Sequence, residues 1–350
     1  MIVFFTLLFN LLLTILSSCL IDSRTPATVS LVSPVSFQAS ILQETPIITS
    51  QPFTLLAVGD IMLDRYVETL INKNGSNYPF EKLGTFLQQA DITLGNLEGP
   101  VLEQRKQAPN HVMNFSFNPE LMTNLRDQGF DIVSLANNHT YDHGKEGFEE
   151  TQKHVTNANI IPLGNPVEIA EEFVVHQTIN SNEVTFLGFN ATTSKFDREK
   201  AIELVKTEHQ KHPDFVIVTI HWGDEYALSP NKSQTELAHA FIDNGADTVI
   251  GHHPHVVQSI ERYQGKVIFY SLGNFIFDQY FSTATQELLA ISAQFSNDQI
   301  TYKLIPLKSI RSQPQEMDEE NKKKFLKSLA DRSSVELAPA IENASMVSNN

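Results

Sequence analysis

Residues 215–255 read FVIVTIHWGDEYALSPNKSQTELAHAFIDNGADTVIGHHPH. An apolar run, Phe215 to Ile220, ends in His221-Trp222-Gly223-Asp224-Glu225, and a second, Ala246 to Gly251, ends in His252-His253-Pro254-His255. Between them Ser233-Gln234-Thr235-Glu236 has the form of a capping box, which predicts a helix over Thr235–Asn244 stopped by Gly245. Strand, helix, strand is the pattern of a right-handed crossover between parallel strands. Both strands of this unit deliver imidazoles at their carboxyl ends.

Working outward, the same texture begins at Phe53. Apolar runs predict strands at Phe53–Val58, Asp91–Gly95, Phe130–Ala136, Asn159–Leu163, Val184–Phe189 and Lys266–Leu272, besides Phe215–His221 and Ala246–Gly251. Asn118-Pro119 opens a helix over Glu120–Gln128 that Gly129 closes. The alternation argues for an α/β fold with a largely parallel sheet. Glu316–Lys327 mixes acids and lysines at helical spacing and reads as a solvated surface helix, with a polar, frayed end after Ala340. The resulting division is a leader over 1–19, a tether over 20–51, the main domain over 52–310, and a polar helix and tail over 311–350.

Composition bounds the function. The 350 residues are 41% hydrophobic and 19% charged, which excludes a disordered polymer, a collagen or a multi-span membrane protein. With 25 Lys and Arg against 41 Asp and Glu, the net charge is -16. Nucleic acid is therefore not an expected partner, since its backbone needs a basic face. The single cysteine, Cys19, allows neither a disulfide framework nor a Cys-based zinc site. It follows an apolar segment from Ile2 to Leu16 that is too short for a comfortable membrane span. Leu16-Ser17-Ser18-Cys19 resembles a bacterial lipobox, in which the Cys is lipidated. It lacks a Lys or Arg before the apolar segment and has Ser18 where Gly or Ala is commoner, and an ordinary signal peptide or uncleaved anchor is the alternative. Each version predicts export. The Ser, Thr and Pro-rich stretch that follows reads as a flexible tether.

The residues following each strand carry the chemistry. They are Gly59-Asp60, then Asn96-Leu97-Glu98, then Asn137-Asn138-His139 with Asp142 and His143, then His221 to Glu225, then His252 to His255. Taken singly, an Asp there can cap a helix, an Asn-His pair can be a loop contact, and His221 can be a satisfied core histidine. Taken together, the carboxyl ends of strands in an open α/β sheet share one edge, so these groups converge. Asp60, Glu98, Asn138, His221, His253 and His255 then supply oxygen and imidazole donors for one or two divalent ions, with Mn, Fe or Zn favoured over Cu(I). His139, adjacent to Asn138, is placed to act as general acid.

The ordered set Gly59-Asp60-Ile61-Met62-Leu63-Asp64, Gly95-Asn96-Leu97-Glu98, Ala136-Asn137-Asn138-His139-Thr140-Tyr141-Asp142-His143-Gly144, His221-Trp222-Gly223-Asp224-Glu225-Tyr226, Gly251-His252-His253-Pro254-His255 and Tyr270-Ser271-Leu272-Gly273-Asn274-Phe275 resembles the CapA (PgsA-like) capsule-synthesis family. The resemblance runs from about Phe53 to Asp278 and implies a fold similar to calcineurin-like metallophosphoesterases: a four-layered α-β-β-α sandwich with two mixed sheets. By motif, Asp60 matches the first metal Asp, Glu98 the bridging acid, Asn138-His139 the Asn-His pair, and His221, His253 and His255 the later metal histidines. Asp64, Asp142, His143, Glu225, His252 and Asn274 are accessory candidates. Met62 stands where phosphoesterases place a histidine, which leaves one ion weakly held or absent unless Asp64 or Glu225 compensates. The family is associated with poly-γ-glutamate capsule synthesis and export. Implied are a metal-dependent hydrolase-type site, a membrane anchor through lipidated Cys19, and poly-γ-glutamate synthase membrane subunits as partners. Two other readings are an extracytoplasmic phosphoesterase and a non-catalytic partner of a membrane synthase. A phosphoesterase needs a basic group near the metals, for which Arg65 and Arg105 are the candidates.

Overall fold

A computed structural model describes residues 51–105, 113–211, 214–296 and 299–349. The leader, Cys19 and the tether up to residue 50 lie outside the described residues. Along the chain come β1 (Phe53–Ile61), α1 (Arg65–Asn74), β2 (Ile92–Leu97), α2 (Glu120–Gln128), β3 (Ile132–Ser134), α3 (Gly144–Asn157), β4 (Ile161–Leu163) and β5 (Val175–Ile179). Then follow β6 (Asn182–Asn190), α4 (Arg198–Lys211), β7 (Phe215–His221), α5 (Lys232–Asp243), β8 (Thr248–His252), β9 (Ile260–Tyr263), β10 (Lys266–Phe269) and β11 (Asn274–Ile276). The last elements are β12 (Glu287–Phe295), β13 (Gln299–Ile310), β14 (Gln313–Glu316), α6 (Glu319–Arg332), α7 (Ala338–Glu342) and β15 (Ser345–Asn349).

One sheet runs β14-β13-β12-β1-β2-β3-β4, with β11 beside β1 and β15 beside β13; the other runs β5-β6-β7-β8-β10-β9. The largely parallel reading holds only for the centres. The pairs β1–β2, β2–β3, β3–β4, β6–β7, β7–β8 and β8–β10 are parallel, whereas β12, β13, β14, β5 and β9 pair antiparallel at the flanks. Helical crossovers force parallel pairing and hairpins permit antiparallel pairing, so both sheets are mixed.

Three cores define four layers. Alternate residues of β1, β7 and β8 face inward: Leu55 and Ala57 of one sheet pack with Phe215, Ile217 and Ile250 of the other. The opposite face of the first sheet, with Leu56, Val58 and Val133, packs on Val67 of α1, Leu121 and Leu125 of α2, and Phe148 and Val155 of α3. The opposite face of the second, with Val216, Val218 and Val249, packs on Val205 of α4 and on Leu237 and Phe241 of α5. The period-2 alternation of each strand thus serves two cores, and an α-β-β-α sandwich with two mixed sheets results. Phe53 bridges the sheets, stacked on Phe295 at 4.7 Å and edge-on to Phe215 at 5.7 Å. Each such pair contributes about 0.5–1.5 kcal/mol beyond its buried area.

Several boundaries differ from expectation. Helix α2 has the predicted limits, with Gly129 at φ 115 as its left-handed stop. Helix α5 starts earlier than predicted, because the box is made by Asn231 and Gln234, each side chain accepting from the other's backbone N–H at 3.0 Å. The surface helix near the end is α6, shifted toward the C-terminus, and it is not simply solvated. Phe325, Leu326, Leu329 and Ala330 are buried in the inter-sheet core, an apolar stripe that the window ending at Lys327 cut short. The frayed end is also corrected. Chain after Ala344 forms β15 against β13, with Met346 and Ser348 buried in alternation. Among the described residues no helix is long and apolar enough to cross a membrane.

The end of β1 departs from a regular ladder. It leaves β12 after Ala57, its register with β2 shifts between Ala57 and Asp60, and Asp60 then stands opposite both Asn96 and Asn274. The new partner comes very close at Gly59, where a Cβ would lie 1.8 Å from the Gly273 carbonyl oxygen. Gly59→Ala is therefore expected to destabilise by more than about 4 kcal/mol, read as loss of soluble protein or a collapsed thermal midpoint; near-wild-type stability would mean that the two strands can separate there.

Candidate metal centre

The bulge in β1 aims Asp60 into the cleft where both sheets present their carboxyl ends. From the first sheet come Asp60, Glu98 just after β2 and Asn138 after β3. From the second come His221, the last residue of β7, and the loop His252-His253-Pro254-His255 that ends β8. Asp60, Glu98, His221, His252 and His255 are all 0–1% exposed, and His253 is 8%.

These groups meet. The ligand atoms of Asp60, Glu98 and His221 lie within 4.8 Å of one another, and those of Glu225, His253 and His255 do likewise. His221 Nε2 is 2.8 Å from Asn138 Oδ1 and 3.1 Å from His253 Nδ1. His255 Nε2 is 3.7 Å from Glu98 Oε1, and its Nδ1 is 3.4 Å from Asp60 Oδ2. Asp60, Glu98, Asn138, His221, His253 and His255, the six principal candidates, thus lie side by side.

The accessory candidates separate. Glu225 lies with His253 and His255. Met62 itself is buried, its Sδ 3.1 Å from the Asp64 backbone nitrogen. Asp64 belongs to neither grouping; its carboxylate caps α1 through the Arg65 N–H and accepts from the Ser116 N–H at 2.8 Å. Replacing Asp64 with Ala is accordingly expected to cost about 1–2 kcal/mol, the range of a lost N-cap, with metal content unchanged; loss of metal together with stability would make it a ligand. Asp142 accepts from His139 Nδ1 at 3.0 Å and from the Phe115 N–H at 2.8 Å, so it orients His139. His143 is exposed at the start of α3 and belongs to neither grouping. Neither basic candidate is a bare cation, since Arg65 pairs with Asp278 and Arg105 with Glu68.

Asn274 fixes a tautomer. Its Nδ2 donates to the Thr285 carbonyl at 3.1 Å, a group that can only accept, so its Oδ1 faces His255 Nδ1 at 2.9 Å and takes that proton. His255 Nε2 faces Glu98 Oε1 at 3.7 Å, and holding the other ring nitrogen is how an outer partner orients a metal-ligating imidazole. Two asparagines unassigned from sequence do similar work. Asn96 Nδ2 donates to Asp60 Oδ1 at 2.8 Å and lies 3.3 Å from His221 Nδ1. Asn137 gathers the His139 and Thr140 N–H groups on its Oδ1 and donates to Asn96 Oδ1 and the Leu97 carbonyl. Their positions beside Glu98 and Asn138 were the available signal, but an amide that only orients neighbours has no spacing rule of its own.

The donor set fits a cation. Glu98 Oε1 is buried with no hydrogen-bond partner, and neither ring nitrogen of His252 has an aligned one, although its Nδ1 is 3.3 Å from Asp60 Oδ1. A buried carboxylate oxygen without a donor is costly. Burial, reinforced by the charges of Asp60 and Glu225, pushes the Glu98 carboxyl well above its ordinary range. Burial acts on Asp60 in the same direction, but His252 and His255 outweigh it and hold that carboxyl well below the usual range. Burial, then the neighbouring His253, keeps His221 neutral; burial, then His255, pushes His253 down to about 4. Neutral imidazoles are in the state that binds a cation, and a cation beside Glu98 would favour its carboxylate form. The backbone is also strained here, with His253 at φ 97, His255 at φ 58 and Tyr226 at φ 65, conformations that persist where the surroundings over-determine them.

The fold is thus an α-β-β-α sandwich with two mixed sheets, with oxygen and imidazole groups gathered at the strand ends. Solved structures similar to it include purple acid phosphatase PPD1 from yellow lupin, at 10% identity and TM-score 0.39 over 77% of this chain and 53% of that one. Another is Chaetomium thermophilum Vps29, at 12% identity and TM-score 0.33 over 76% and 90%. Residues 54–279 match the family described as bacterial capsule synthesis protein PGA_cap, and the chain belongs to that family. It is 38% identical over 239 residues to the PGA biosynthesis protein CapA of Bacillus subtilis, covering 63% of this chain and 62% of that one. It is 35% identical over 250 residues to the capsule biosynthesis protein CapA of Bacillus anthracis, covering 66% and 61%. The chain therefore spans less than two thirds of the length of these two relatives.

Proposed function

We propose that this protein is an exported, membrane-anchored component of capsular poly-γ-glutamate synthesis or export, in which Asp60, Glu98, Asn138, His221, His253, His255 and Glu225 hold one or two divalent transition-metal ions, Mn, Fe or Zn, at a hydrolytic site. Family membership supports the capsule assignment. The observation that carries the metal site is the convergence of these donors around the partnerless Glu98 Oε1. The lipobox-like Leu16-Ser17-Ser18-Cys19 supports anchoring on the extracytoplasmic side, where membrane subunits of a poly-γ-glutamate synthase are the proposed partners.

When bound, such ions lower the pKa of a water and polarise the oxygen of the scissile group. The chain supplies the rest. Asp142 holds His139 by Nδ1, so Nε2 is the atom that carries the proton transferred to a leaving oxygen or nitrogen. Phe115, with its ring centroid 4.3 Å from that of His139, covers the imidazole and limits access of water. Asn96 and Asn274 keep Asp60, His221 and His255 turned inward.

Metal analysis of the purified chain, followed by parallel assays on poly-γ-glutamate and on phosphoesters, tests the proposal. Bound transition metal with cleavage of the polymer is the expected result. Turnover of phosphoesters alone would move the protein to the extracytoplasmic phosphoesterases. Absence of metal after incubation with Mn, Fe and Zn would overturn the centre.

A further inference from the structure

Beside the donor cluster opens a cavity of ≈ 410 Å³ whose walls include Arg65, Tyr66, Tyr226, Asp278, Tyr280 and Phe281. Its volume falls in the range of about 300–1,000 Å³ usual for small-ligand sites. It adjoins the cluster on two sides. The Tyr226 ring centroid is 6.2 Å from that of His255, and the Arg65 guanidinium lies 5.1 Å from the Phe115 ring that packs on His139.

Two properties of the walls narrow what they take. First, the lining carries one cation and one anion, and these are paired: Arg65 with Asp278, their side chains 7% and 5% exposed. A phosphoryl group calls for unshared guanidinium or ammonium donors, and here it would meet a carboxylate as well. The guanidinium and carboxylate, bonded to each other and to Met113 Sδ and the Tyr66 N–H, instead form a neutral polar wall that suits an uncharged amide. Second, the mouth is aromatic. Phe281 is 66% exposed and Tyr226 42%, packed edge to face at 5.2 Å, and Tyr66 meets Tyr280 in the same way at 6.1 Å. Exposed rings around a cavity are surfaces for aliphatic groups. At the rim the exposed Arg311 reaches within 3.5 Å of the Tyr66 hydroxyl, a guanidinium open to a carboxylate left in solvent.

Resting on the capsule reading above, we infer that this cavity is the seat of a γ-linked glutamyl segment: the neutral Arg65–Asp278 wall flanks its amide, the aromatic walls hold its methylenes and Arg311 receives a pendant carboxylate. It is a seat for amide-linked chain and not for a phosphoester.

Isothermal titration of the full-length metal-loaded chain with γ-linked oligoglutamate, and separately with p-nitrophenyl phosphate, tests this. The variants are Phe281→Ala and Arg311→Ala, both at exposed positions and checked for an unchanged thermal midpoint and metal content. The expected result is that oligoglutamate binds and that Phe281→Ala weakens it about tenfold, the share of one exposed ring that the bound segment would cover. Arg311→Ala should weaken it less at high salt than at low salt, because an exposed charge pair is screened. Binding of oligoglutamate unchanged in both variants would overturn the cavity assignment and leave the capsule reading standing. Binding of p-nitrophenyl phosphate that Phe281→Ala weakens would make the cavity a phosphoester seat. Failure of the wild-type chain to bind oligoglutamate would remove both the inference and the substrate class beneath it.

Discussion

The His253→Ala/His255→Ala double variant is expected to purify folded but stripped of transition metal. His253 Nδ1 stands 3.1 Å from His221 Nε2, and His255 Nε2 stands 3.7 Å from Glu98 Oε1, so the pair makes up most of one grouping and adjoins the other. Groups that merely orient a ligand are worth about 10–100-fold in metal affinity, and removing two donors outright should exceed the upper figure. The fold should survive, because neither imidazole belongs to the three apolar cores. Metal content by mass spectrometry, with near-ultraviolet circular dichroism as the fold control, decides the matter. Unchanged stoichiometry in a folded double variant would exclude this loop from the centre.

His139→Ala should act on turnover alone. The expected loss is about 10²–10⁴-fold in hydrolysis, with metal content as in the wild type, since Asn138 and not His139 contacts His221. Asp142→Asn should give a smaller loss, because it weakens the hold on Nδ1 without removing the proton carrier. Equal turnover in His139→Ala would reassign that imidazole to packing against Phe115.

The donors were legible because they recur at the same place in each repeat of the pattern: an apolar run, then a residue that can bind a cation. Five separate strand ends with that property needed only the rule that parallel strands share an edge. What stayed hidden was set by tertiary geometry. The long hairpin of β12 and β13 alternates in burial through most of its length, but no motif residue drew attention to it. Asp64 and Glu225 looked equivalent as replacements for the absent histidine. The fold separates them: the Asp64 carboxylate caps α1, and that of Glu225 lies with His253 and His255. Asn96 and Asn274 act by fixing protons on other residues, a role that no linear spacing encodes.

The two sheets contribute opposite halves of the donor set: Asp60, Glu98 and Asn138 from one, His221, His253 and His255 from the other. A cation held among them would act as a rivet through the seam of the sandwich. Unfolding would then require its release, so resistance to heat and protease should climb with the logarithm of free ion concentration once the site is filled. A chelator would loosen the join between the sheets before it disturbed either sheet alone.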